Sequence, residues 1–198
     1  MSPSTLKTSL ALLAMVPLSA CISLAAKPPP SLLTLTSASS MTVGKTQSSA
    51  DTPTITIMVP AVSQALATAR VPVQSGETAI AYVPKAQWVE PPARLFARLL
   101  ADTVTARTGR VVLSNAQSFA DPGARLSGEL RSFGVDSGSS TAIVMFDGSL
   151  MRSEGHVIEK RRFEARVPVA AIEASAVGAG LNQAANQVAA EVADWVGK

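Results

Sequence analysis

The sequence predicts an α+β fold in a single domain, in which an antiparallel-rich sheet of about five to six strands carries two long helices packed on it. Several segments alternate polar with apolar residues, which is the period of a half-buried strand. Two other segments repeat apolar residues at steps of three or four, the period of an amphipathic helix. The 198-residue chain is 47% hydrophobic and 16% charged, so it can bury an ordinary core.

The first half of the predicted domain contains two strands and one helix. Residues 54–59 alternate threonine with apolar residues up to Pro60, and residues 79–83 form a shorter strand that ends at Pro84. A helix begins at the proline pair 91–92, because proline is favoured in a first helical turn, and Gly109 is a natural stop. Its apolar stripe consists of Leu95, Phe96, Leu99, Leu100 and Val104.

The second half is predicted to be a meander followed by a closing helix. Turn residues at 136–138 and 153–155 separate the longer strands and indicate antiparallel pairing. An alanine-rich helix extends from 171 to 196, and its small residues would let it lie close to the sheet. The strands are predicted at 110–113, 124–135, 140–151 and 156–168. The apolar stripe of the helix consists of Val177, Leu181, Ala184, Ala185, Val188, Val192 and Trp195.

Residues 1–20 have the pattern of a secretory signal peptide. Lys7 precedes an apolar stretch at 10–18, which is too short to span a bilayer. The stretch leads into Leu-Ser-Ala20-Cys21, which resembles the bacterial lipobox. This resemblance implies lipid attachment at Cys21, signal cleavage between Ala20 and Cys21, and a further acyl chain such as palmitate on the new amino terminus. The alternative is an ordinary signal peptide followed by a buried cysteine.

The residues after Cys21 indicate the membrane in which the protein is anchored and how the anchor is joined to the domain. Ile22, rather than aspartate, follows Cys21, and this resembles the Gram-negative lipoproteins that are sorted to the periplasmic face of the outer membrane; the inner membrane is the less favoured alternative. Residues 21–53 are rich in Ser, Thr, Ala and Pro, which predicts a lipidated N-terminus and a flexible tether, although 32–35 could pair as an edge strand. Residues 54–198 form the predicted α/β domain.

Composition disfavours several classes of function. A single cysteine allows neither an intramolecular disulfide nor a Cys-rich metal cluster, and a net charge of +3 is mild for a nucleic-acid binder. His156 is the only histidine, so any Ser-His-Asp catalytic triad would depend on it. We interpret His156 as a surface turn residue. We therefore predict that the protein is not an enzyme and holds neither a metal nor a cofactor.

Charged residues on the predicted strands have two interpretations. Their carboxylates could pair for acid–base chemistry, but no spacing singles out a pair, and a solvated sheet face is favoured. The basic run at 160–162 could contact lipid phosphates or an acidic partner, but a charged edge that discourages aggregation is favoured. The carboxylates are Glu129, Asp147, Glu154, Glu159 and Glu164, and the basic run is Lys160, Arg161 and Arg162.

The segment Trp88, Glu90, Pro91, Pro92 is a candidate partner interface. The prolines fix its backbone before any partner arrives, so binding would cost little entropy, and an exposed tryptophan is a frequent interface anchor. Packing of Trp88 into the core is the favoured alternative. Trp195 continues the apolar stripe of the last helix, so core packing is predicted for it as well.

Together these features resemble the ABC-type transport auxiliary lipoprotein family, the lipoprotein subunits of mammalian-cell-entry (MCE) domain and paraquat-inducible-type transport systems. One departure is that the aromatic residues often found after the family's cysteine are absent, and leucines at 32–35 stand there instead. The features that carry the resemblance are Cys21, Val59-Pro60, Tyr82, the Trp88-x-Glu90-Pro91-Pro92 helix start, and the alanine-rich helix that ends near Trp195.

The resemblance implies a non-catalytic accessory role in moving phospholipid or other hydrophobic cargo between two membranes. Its implied partners are an MCE-domain periplasmic subunit, an ABC permease and ATPase complex, and the membrane that receives the lipid anchor. A second hypothesis is an envelope-assembly or cell-wall-synthesis regulatory lipoprotein that binds a periplasmic enzyme. A third, a lipid-anchored hydrolase, is disfavoured because the sequence is poor in catalytic residues.

Overall fold

The structure, a computed structural model, describes residues 31–119, 123–152 and 157–198, and ten helices and strands lie within these ranges. Two single turns of 3₁₀ helix, at Gln64–Leu66 and Gln117–Phe119, lie in connecting segments. The order is β1 Thr54–Ile57, β2 Ala61–Val62, β3 Arg70–Gln74, β4 Ile80–Gln87, α1 Pro92–Thr108, β5 Val111–Leu113, β6 Ala124–Asp136, β7 Thr141–Met151, β8 Ile158–Pro168 and α2 Ala174–Val196.

The eight strands form one mixed sheet. β1 runs parallel to β5 and β6, and β2 and β3 also pair parallel with β6. Antiparallel pairs join β3 to β4, β6 to β7 and β7 to β8. The expectation of an antiparallel-rich sheet of about five to six strands is therefore wrong in strand number and in pairing. The α+β class, the single domain and the two long helices are confirmed.

The mixed pairing arises because three short strands share one edge of the 13-residue strand β6. β1 pairs at 124–126, β2 at 129–130 and β3 at 135–136, while β7 follows the opposite edge over its whole length. β1 corresponds to the strand predicted at 54–59, whereas β2 and β3 contain too few residues to establish a period, so the sequence pattern does not reveal them.

Proline is tolerated within two strands: β3, which was not predicted, and β4, which was predicted to end at its proline. β3 contains Pro72, but the strand pairs with β6 only at Val73 and Gln74, so the missing amide hydrogen breaks no bond of that ladder. β4 was predicted to end at Pro84 but continues to Gln87. Lys85 adopts a φ of 59° there, and the register with β3 shifts opposite it, which indicates a bulge.

Both helices pack on one face of the sheet and bury the predicted apolar stripes. α1 ends at Gly109, whose φ of 73° is the left-handed conformation that glycine adopts without strain. Arg107, in the last turn of α1, donates a hydrogen bond of 2.6 Å to Asp194, near the end of α2. Gly178, near the start of α2, lies against Leu33, which is bonded to the strand that leads into α1. The two helices therefore run parallel.

A row of six aromatic rings forms the centre of the core between helices and sheet. Neighbouring ring centroids are 5.4–6.4 Å apart, mostly in edge-to-face arrangements. Such contacts add stabilisation beyond the area that the rings bury. In order, the row is Trp88, Phe133, Phe96, Phe146, Phe163 and Trp195.

Candidate functional site

The first described residues after the proline run are bonded to the domain. The Leu33 amide donates to the carbonyl of Gln87 at 2.7 Å, and the Val89 amide donates to the carbonyl of Leu33 at 2.9 Å. Leu33 thereby forms a single parallel bridge with Trp88. The pairing that the alternating leucines at 32–35 suggested is thus realised at one residue, on the segment between β4 and α1.

Two asparagines on α2 form hydrogen bonds with the backbone of the residues that follow Leu33. Asn182 Oδ1 accepts the Thr36 amide at 2.8 Å, and Asn186 Oδ1 accepts the Ala38 amide at 2.7 Å. Asn186 Nδ2 donates back to the Thr36 carbonyl at 2.9 Å. These side chains lie four residues apart on one helix face. They supply the backbone hydrogen-bond partners that a neighbouring strand would otherwise provide. We call residues 33–39 the docked segment.

Side-chain packing also fixes the docked segment. Leu33 and Leu35 pack against the core. A Cβ atom built on Gly178 would lie 2.7 Å from a Leu33 methyl group, so the glycine makes room for this leucine. Ser37 Oγ lies 3.4 Å from Thr103 Oγ1 on α1. Part of the stretch that composition assigned to a flexible tether is therefore ordered on the helices.

The candidate interface segment is placed partly inside the domain. Trp88 is only 1% exposed and meets Phe133 edge to face, so its ring is not an exposed anchor, and the favoured core alternative describes its position. Pro92 is buried, whereas Pro91 and Glu90 are half-buried. Glu90 accepts a hydrogen bond from Arg98, and this bond lowers the pKa of the Glu90 carboxyl. The surface of this segment is therefore formed by Val89, Glu90 and Pro91.

The sheet face opposite the helices, here called the open face, carries paired charges. Asp147 on β7 is directly opposite Arg162 on β8, and two hydrogen bonds of 2.6 and 2.7 Å join them. The Arg162 guanidinium lowers the pKa of Asp147. Arg131 adds one hydrogen bond of 3.2 Å to Glu129 and a contact of 3.8 Å to Asp147. Arginine thus holds the Asp147 carboxylate ionised, and the paired charges of this face are the arrangement of a solvated surface.

The remaining charged candidates do not form a catalytic group. Glu159 accepts a 2.7 Å hydrogen bond from Arg152, which lowers the pKa of Glu159, and Glu164 pairs with Arg166. Arg161 lies on the face of β8 opposite to that of Arg162, and its guanidinium carbon is 4.9 Å from the Phe163 ring centre. Lys160 is exposed. Among the described residues, no group of three or more His, Cys, Asp or Glu side chains could hold a metal ion.

One end of the open face contains a cavity of about 350 Å³, at the lower end of the range for small-molecule pockets. The 3₁₀ turn at 64–66 covers part of the face there, and Leu66, Ile80 and Ile143 supply apolar walls. Arg166 and Asp136 line the polar side. Hydrogen bonds from Ser139 lower the pKa of Asp136, so this carboxyl is ionised at neutral pH. No local sequence pattern indicates this cavity, because its walls come from six separated segments.

Several predicted residues lie outside the described ranges. These are the signal-peptide and lipobox residues, including Ala20 and Cys21, and two residues between β7 and β8 in the sequence, Glu154 and His156. No helix within the described ranges is both long enough and apolar enough to cross a membrane.

Comparison with known families identifies the class of protein. The family model for the ABC-type transport auxiliary lipoprotein component matches residues 33–193, which includes the docked segment, the whole sheet and nearly all of α2. The chain therefore belongs to this family. Membership implies a membrane-anchored location in the cell envelope and association with an ABC transport system. No curated protein matches the sequence.

Solved structures support the fold. A protein of Xanthomonas campestris, described as a DUF330 family member, is 18% identical; the match covers 84% of this chain and 94% of that one, with a TM-score of 0.67. A second, described as an uncharacterized protein, is 14% identical over 73% of this chain and 93% of that one, with a TM-score of 0.63. At these identities the likeness concerns the fold alone.

Proposed function

We propose that this protein is a non-catalytic auxiliary subunit of an MCE-type ABC transport system, which moves phospholipid or other hydrophobic cargo between the two membranes of a Gram-negative envelope. The observation that carries the proposal is the family match over residues 33–193. The MCE partner and the lipid cargo come from the resemblance described above. The protein itself would hold the transport assembly at the membrane in which its anchor lies.

The proposed anchor is a lipid on Cys21, at the periplasmic face of the outer membrane. The lipobox-like Leu-Ser-Ala-Cys sequence follows a signal peptide, and Cys21 is the only cysteine in the chain. Two or more acyl chains anchor a protein stably where one chain does so only marginally. The docked segment begins 12 residues after Cys21, so the anchor joins the folded body through a short connection.

The proposal that the protein is not an enzyme is supported by the state of three carboxylates that arginine pairs. A general acid that works near neutral pH needs a raised pKa. The hydrogen bonds from arginine instead lower the pKa values of Glu90, Asp147 and Glu159. These groups stabilise the surface of the domain as ion pairs and are poorly suited to donate a proton.

Replacing Cys21 with serine tests the anchor. We expect metabolic labelling with a palmitate analogue to mark the wild-type protein and not Cys21→Ser, because only a thiol forms the thioether and starts the modification. The variant should still fold, since the substitution lies outside the folded body. Equal labelling of the two proteins would refute the lipoprotein assignment.

Crosslinking in intact cells tests the partner. Affinity purification after crosslinking should recover an MCE-domain protein or its ABC permease together with the wild-type protein. Cys21→Ser should recover less of it, because the mislocalised protein does not meet the assembly. Recovery of a cell-wall-synthesis enzyme in place of transport components would contradict the proposal and support a regulatory lipoprotein.

A further inference from the structure

We propose that the end of the domain that carries Leu32 and Val89 lies against the surface of the lipid bilayer. This inference rests on the proposed lipid anchor at Cys21 and adds an orientation to it. The bilayer is the occupant of this surface because Leu33 is bonded to the domain here and lies only 12 residues from the proposed anchor at Cys21.

Docking shortens the reach of the anchor. Leu33 is bonded to the domain through Gln87 and Val89, so only residues 22–32 separate the body from Cys21. Twelve Cα–Cα steps span at most about 40 Å when fully extended. A tether free to residue 53 would span roughly 110 Å at the same rise. The docked segment therefore keeps the body near the bilayer and determines which end faces it.

Two large apolar side chains are exposed at the point where the chain leaves the domain. Leu33 and Trp88 form the bridge and are packed toward the core, so their neighbours point outward. Leu32 is 49% exposed and Val89 is 54% exposed. Exposed apolar side chains such as these enter the boundary between headgroups and acyl chains when a membrane is close.

The charge around this end suits an anionic lipid surface. Arg94 and Arg98 are exposed in the first turns of α1. Arg70 is paired in register with Gln87, beside the Leu33 bridge. Of the acidic residues at the starts of the two helices, Glu90 is paired with Arg98, and Glu173 precedes α2. Because α1 and α2 run parallel, both helix N-termini, with their partial positive charge, also lie here.

The orientation leaves the opposite end of the domain free. α1 has 17 residues, so its C-terminal end lies about 25 Å from its first turn. The ends of both helices, joined by the Arg107–Asp194 bond, would then face away from the bilayer. A periplasmic partner would meet the domain from that side.

A fluorescent probe at position 89 tests the orientation. Because the only native cysteine carries the lipid, Val89→Cys introduces the only free thiol for labelling. The labelled lipoprotein is reconstituted into vesicles of phosphatidylethanolamine and phosphatidylglycerol that contain nitroxide-labelled lipid. The matched control is Ala106→Cys, an exposed position near the far end of α1. We expect quenching at position 89 to exceed that at position 106 by roughly threefold, because only the former lies at the interface.

Each outcome of this experiment is informative. Equal quenching at the two positions in protein that floats with the vesicles would overturn the orientation and leave the anchor intact. Failure of the protein to float would overturn both the anchor and the orientation. Quenching at position 89 that falls as the protein-to-lipid ratio rises would mean that a second copy covers this surface, and would also overturn the proposal. Leu32→Cys replaces Val89→Cys if circular dichroism shows that the latter is unfolded.

Discussion

Replacing Asn182 and Asn186 together by alanine should release the docked segment from α2 without unfolding the domain. The two side chains make three hydrogen bonds to the backbone at Thr36 and Ala38. Alanine has a higher helix propensity than asparagine, so α2 itself should not be weakened. The perturbation is therefore confined to the contact between the segment and the helix.

The expected magnitude follows from those three bonds. A hydrogen bond contributes about 0.5–1.5 kcal/mol net, and exposed bonds such as these belong at the lower end. Their loss should weaken docking by about 1.5–3 kcal/mol, which is roughly a ten- to hundredfold change in the docking equilibrium. The packing of Leu33 and Leu35 remains and opposes complete release.

Amide hydrogen exchange measured by mass spectrometry is the direct assay, because it reports local opening. Peptides that contain Thr36 and Ala38 should exchange roughly tenfold faster or more in the double variant. Gln183→Ala with Gln187→Ala is the matched control: these exposed residues have the same spacing on the same helix. The control should exchange like the wild type.

Equal exchange rates of the asparagine variant and the glutamine control in these peptides would show that the asparagines do not hold the docked segment. An equal rise in exchange throughout α2 would also contradict this prediction, because the substitutions would then have unfolded the helix rather than released the segment. In vesicles, release should lower quenching at position 89 toward that at position 106, since the tether then reaches further.

Trp88→Ala should lower the melting temperature by roughly 6–20 °C, because truncating a buried tryptophan costs about 3–5 kcal/mol; a shift below about 2 °C in thermal circular dichroism would contradict its core position. Trp88→Phe should cost much less, since Trp88 Nε1 is buried with no hydrogen-bond partner among the described residues. The lowered pKa of Asp147 means that its pairing with Arg162 stabilises the fold above the unfolded-state pKa and is lost as pH falls through the folded value. Melting curves of wild type and Asp147→Asn should therefore differ at pH 6 and converge at strongly acidic pH; a constant difference would refute this role.

Local patterns predicted the regular elements well where those elements are long. Leu95, Phe96 and Val104 are buried on α1, and Val177 and Leu181 are buried on α2, as their spacing indicated. A stripe of this kind can be recognised because several turns repeat the same period. β2 has two residues and β3 has five, including a proline, so neither contains a repeat that distinguishes it from a loop.

The sequence by itself determined the two helices, the long meander strands and the lipobox-like motif, because each depends on residues that are close together in the chain. The tertiary structure decided the parallel pairing along β6 and the burial of Trp88. It also decided that residues 33–39 lie on α2 instead of extending a tether. Thr36 and Asn182 are 146 residues apart, and their hydrogen bond depends on how α2 is placed against β4 and α1. No local period encodes that placement, since it results from the packing of the whole core.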